Sequence, residues 1–252
     1  MRRFAGDEAQ QVVVIGGLEA PRRQRRARPA DGEAKPVDVT RATVIGADPL
    51  DGEERAEAWL KEEASELVSP ALAVLNRALH ARRIAAADPY AAEVALRHAL
   101  VTRVGYGTGE QVAEGRWRAA RELPAERPRV ARESALRPQE RFAALLSGRD
   151  AALACELLAL RARLDLEQAR DREAALQLEA GLRVALAELE GWRELDGMPK
   201  RLEELDALLS EAALAADAAR SGALDETGRA VVERTLGRLE AALRARTAGA
   251  AF

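Results

Sequence analysis

Gly105, Gly107 and Gly109 alternate with larger residues in RVGYGTGEQVAEGRWRAAREL, residues 103–123, and a helical pattern follows at once. A strand, a glycine-rich turn and a helix start in that order can bind an anion, because free backbone N–H groups and the helix dipole both favour negative charge. The phosphate cradle would be built from Arg103, Gly105, Gly107, Thr108 and Gly109, with Arg103 or Arg116 as a charge clamp. Several features oppose it. G-Y-G-T-G-E is neither G-x-G-x-x-G nor the Walker pattern, and no Lys-Ser/Thr follows. Glu110 would satisfy the helix dipole from within the chain, and Tyr106 would crowd the approach. Thr108 and Gln111 form a T-x-x-Q capping box, which predicts a helix from Gly109 or Glu110. The stretch then becomes a self-satisfied turn needing φ above zero, or a protein-recognition surface made by Tyr106, Arg116 and Trp117, residue types that dominate interface energetics.

Other reactive residues offer less. Arg22, Arg23, Arg25, Arg26 and Arg28 form one basic cluster, which could act as an arm for a polyanion. No aromatics interleave to stack bases, so a solvated segment is expected. The single cysteine, Cys155, excludes an internal disulfide framework and any cysteine-based metal cluster. His80 and His98 have neither a carboxylate nor another histidine at metal-ligand spacing along the chain. Carboxylate pairs such as Glu62/Glu63 and Glu203/Glu204 sit among arginines on helical patterns, as solvated faces do. No G-x-S-x-G motif is present. No catalytic residue, metal site or cofactor is expected.

The elements that would position these residues are mostly helices. Aromatics make up only 3% of the 252 residues, so the core must be built from Leu, Val and Ala, which suits close-packed helices. The net charge of −3 gives the whole chain no attractive field for nucleic acid or an anionic membrane. The apolar run at 12–15 is too short for a leader, and no run approaches the roughly 20 apolar residues of a membrane span. A cytoplasmic, soluble protein is expected.

Residues 1–38 read as a disordered arginine-rich tail and 39–123 as a small α+β domain. Strands are expected near 39–46 and 99–107, pairing with each other, and the 12–15 run could add a third. Asp51 and Glu54 suggest a capping box opening one helix, and Ser69-Pro70 suggests the start of a second. Residues 90–98 suggest a short helix. Residues 124–138 form a Pro/Arg-rich connector, 139–247 a helical bundle or stacked hairpins, and 248–252 a short tail.

Within the bundle, Gly148 breaks a short helix and Asp150 is placed to cap the next. Leu153, Leu157, Leu160 and Leu164 then recur at steps of four and three. Similar stripes follow at Ala175, Leu178, Leu182, Ala185 and Leu189, at Leu202, Leu205, Leu209 and Ala212, and at Val232, Leu236, Leu239 and Leu243. Each stripe lies on one helical face and is expected to be core. In LLALRARLDLEQARDREAALQLEAGLRVAL, small residues fall at Ala162, Ala174 and Gly181, with Leu158 and Leu178 at larger positions. This resembles a single tetratricopeptide unit, in which two helices nest at small residues; Asp165 stands where that pattern has a large aromatic. The resemblance implies a tight helical hairpin.

The fold class expected is therefore mainly α, with a small α+β N-terminal region before an antiparallel bundle. The function expected is non-catalytic protein–protein interaction or scaffolding, with a second copy, joined through the helical seams, as one form of partner. The alternative is a nucleotide- or phosphometabolite-binding protein using residues 103–111. Nucleic acid and membrane are not the expected partners.

Overall fold

The computed structural model describes residues 10–18, 39–124, 132–222 and 224–249. The chain divides into two units, residues 1–128 and 129–252. The fold is mainly α, with two antiparallel two-stranded sheets near the N-terminus.

In the first unit, β1 (Gln11–Leu18) pairs antiparallel with β2 (Val39–Gly46), setting Val12 opposite Ile45 and Val14 opposite Thr43. Strand β1 therefore lies inside the segment expected to be a tail: its β-branched run finds a partner across a long connection. The basic cluster at 22–28 lies outside the described residues. Helix α1 (Gly52–Leu60) begins where the sequence suggests, but the Asp51 side chain makes no cap bond. Helix α2 (Ala64–Ala85) runs through Pro70, so the break expected at Ser69-Pro70 falls at 61–63 instead. Ser69 and Pro70 are on the exposed side, where water can take the Glu66 carbonyl that a proline leaves without a donor. Residues 91–95 are irregular, and only Leu96–His98 forms a 3-10 turn. Buried Asn76 on α2 holds this segment, donating to the Val94 carbonyl at 3.0 Å and accepting from the Val94 N–H at 2.9 Å.

Strand β3 (Thr102–Tyr106) pairs with β4 (Ala119–Leu123), and neither joins the β1–β2 sheet. The single small sheet expected from 39–46 and 99–107 is thus two separate hairpins. The strands that pair with the two expected ones, β1 and β4, lie in segments whose sequence reads as tail and as helix.

In the second unit, α3 (Arg132–Leu146) begins inside the expected connector and is followed by a turn through Gly148, where φ is +71°. Helices α4 (Ala154–Glu167), α5 (Asp171–Glu188), α6 (Met198–Ser221) and α7 (Glu226–Gly249) pack in a cycle, α4 on α5, α5 on α6, α6 on α7 and α7 on α4. Paired residues fix the alternation. The start of α4 meets the end of α5 through Glu188, Arg172 on α5 donates to the Ala219 carbonyl on α6, and α7 lies against α4 with Arg246 beside Glu156 and Glu240 beside Arg163. This is an up-down four-helix bundle.

The stripes on α5, α6 and α7 are core as the periodicity suggests: Leu178, Leu182, Leu189, Leu202, Leu205, Val232, Leu236 and Leu239 are all buried. The α4–α5 hairpin nests at small residues, Ala162 and Ala174 being buried and Gly181 lying against the Leu158 side chain. The stripe on α4 is the exception. Leu157, Leu160 and Leu164 are 52%, 69% and 36% exposed, while Cys155, Ala159, Ala162 and Leu166 face the core. Small residues win the interior because they let α4 approach α5 and α7 closely, which dispersion rewards more than a looser leucine contact would.

Candidate functional site

The glycine stretch forms a hairpin. Residues Glu110–Glu114 make a 3-10 turn of 5 residues, Gly109 precedes it with φ +78° and no side-chain cap bond, and β4 follows. The expected capping box of Thr108 and Gln111 and the long helix after it are absent. Gly115, at φ +73°, ends the 3-10 turn and turns the chain back toward β4.

Gly105 is glycine for a different reason. A Cβ there would strike the Trp117 ring and lie 2.7 Å from the Ala119 carbonyl. Trp117 lies across the hairpin with its Nε1 donating to the Val112 carbonyl at 3.2 Å. Gly107 is similarly crowded, a Cβ falling 3.1 Å from Val112 Cγ2. Tyr106 and Trp117 are half-buried, and Thr108, Gly109 and Arg116 are exposed.

Every arginine of this region has a partner within the unit. Arg103 pairs with Glu122 across the strands at 3.0 Å, Arg116 with Glu114, and Arg118 with Glu53 on α1 at 2.5 Å. Arg41 on β2 donates to the Glu114 carbonyl at 2.5 Å. Thr108, Gln111, Arg116, Trp117 and Arg118 line an open depression of about 290 Å³. Its two cations already face carboxylates, so an anion entering it would displace an internal ion pair.

The histidines are placed by folding. His80 Nδ1 lies 3.6 Å from Glu93 Oε1, a juxtaposition of α2 with the 91–95 segment that spacing along the chain could not reveal. His98 Nδ1 accepts from the Ala95 N–H at 3.2 Å. Among the described residues no group of three or more His, Cys, Asp or Glu is placed to hold a metal, and no helix is long and apolar enough to cross a membrane.

A buried polar cluster lies where α3, the loop after it, α4 and α7 meet, and no local pattern in the chain announces it. Arg246, on α7, is 1% exposed. Its Nη2 is 2.5 Å from Asp150 Oδ1 and its Nη1 3.5 Å from Glu156 Oε1, and its guanidinium stacks 4.5 Å from the centroid of the Trp192 ring. Arg141 on α3 binds the same two carboxylates at 3.1 and 2.5 Å. Asp150 therefore serves this network and not the cap expected of it. Glu188 caps α4 instead, accepting from the Ala154 and Cys155 N–H groups at 3.1 and 3.0 Å.

Burial works to raise the pKa of Asp150, but hydrogen bonds from Arg246 and Arg141 outweigh it and hold the carboxyl below its ordinary value. Glu188 is likewise held low, its burial outweighed by bonds from Cys155 and Ala154. Burial, then the Glu188 carboxylate, push the Cys155 thiol up to about 12. A thiol so placed is inert as a nucleophile. The cluster fastens the end of α7 to the start of α4, and its two guanidiniums and two carboxylates pair with one another, with Arg246 Nε left buried without a hydrogen-bond partner.

What remains unspent is the outer face of α4. At 100° per residue, Leu157, Leu160 and Leu164 fall within about 60° of arc and are open to solvent, while Leu153, the residue before the helix, is half-buried against the bundle core. Ala154, Arg161 and Glu167, all exposed, border the strip. Comparison with known proteins finds no matching family model, curated protein or solved structure.

Proposed function

We propose that this protein acts without catalysis, binding another protein through the leucine face of α4. The observation that carries the reading is the exposure of Leu157, Leu160 and Leu164 on one strip of one helix. A single exposed leucine is ordinary, and Leu214 on α6, 70% exposed, is one. Three in register, bordered by charge, make the contiguous apolar patch that marks interaction surfaces. The i, i+3, i+7 spacing is the one a helix uses to seat its side chains in a partner groove or against a partner helix.

The glycine hairpin is a weaker candidate. Its Trp117 ring is used in packing against Gly105, and Arg103 and Arg116 have carboxylate partners. The test is paired affinity capture from the native host, using the wild-type chain and a Leu157→Gln/Leu160→Gln variant. Partners retained by the first and lost by the second support the reading. Identical captures from both refute it.

A further inference from the structure

We draw no further inference here: the strongest candidate, the exposed leucine face of α4 at Leu157, Leu160 and Leu164, belongs to the surface already described, and nothing in the structure shows what covers it.

Discussion

Replacing Arg246 with alanine should destabilise the second unit by about 3–4 kcal/mol at pH 7. The magnitude follows from what the side chain holds. Removing one partner of a buried ion pair costs about 3–5 kcal/mol, and Arg246 is 1% exposed with Asp150 at 2.5 Å. Arg141 still reaches both Asp150 and Glu156, at 3.1 and 2.5 Å, which moves the charge penalty to the low end of that range. Loss of the stack on Trp192 adds about 0.5–1 kcal/mol. Urea unfolding followed by helical circular dichroism reads the change. With a slope of about 2 kcal/mol/M, the midpoint falls by about 1.5–2 M. The pH dependence has a definite sign. Asp150 is held below its unfolded value, so its stabilisation is present above about pH 4 and fades as pH falls through the folded value. The difference between wild type and Arg246→Ala must therefore shrink as pH falls below about 4. A deficit under about 0.5 kcal/mol at pH 7, or one that grows as pH falls below about 4, would refute the account of this cluster.

Gly105→Ala should displace the Trp117 ring and cost about 1–3 kcal/mol, seen as lost near-ultraviolet dichroism; an unchanged spectrum and stability contradict the packing described. Ala169 sits at φ +54° in the turn after α4, where Arg170 N–H bonds the Asp165 carbonyl at 2.8 Å. Ala169→Gly relieves that conformation and should stabilise the unit by about 0.5–1 kcal/mol, read as a higher thermal midpoint. Cys155, with its thiol pushed up to about 12, should not react with a thiol reagent at pH 8 until guanidinium unfolds the chain. Labelling of the native protein at the rate of a free thiol contradicts its burial.

The bundle was legible because α5, α6 and α7 carry stripes whose period can be satisfied only by a buried face. The same periodicity misassigned α4. There the opposite face, with Cys155, Ala159 and Ala162, is apolar too, and closeness of approach to α5, which no single-helix pattern contains, decides between the two. The glycine stretch shows the same limit. Its capping-box residues are correct in type, but the pairing of Tyr106 with Ala119 and the closure of Trp117 over Gly105 turn the chain back as a strand. Pro70 looked like a helix start because proline suits the first turn, yet it is tolerated mid-helix on an exposed side. The Arg246 cluster joins residues 90 and more positions apart in sequence, beyond any local pattern.

Covering of the α4 face in the native setting is the central claim, and carbene footprinting measures it directly. The purified chain at high dilution and the chain in its native host's extract are labelled side by side, with Leu214 on α6 as the exposed control. Labelling of Leu157, Leu160 and Leu164 is expected to fall several-fold in the extract while Leu214 is unchanged. Equal labelling of the three leucines in both samples would contradict the claim.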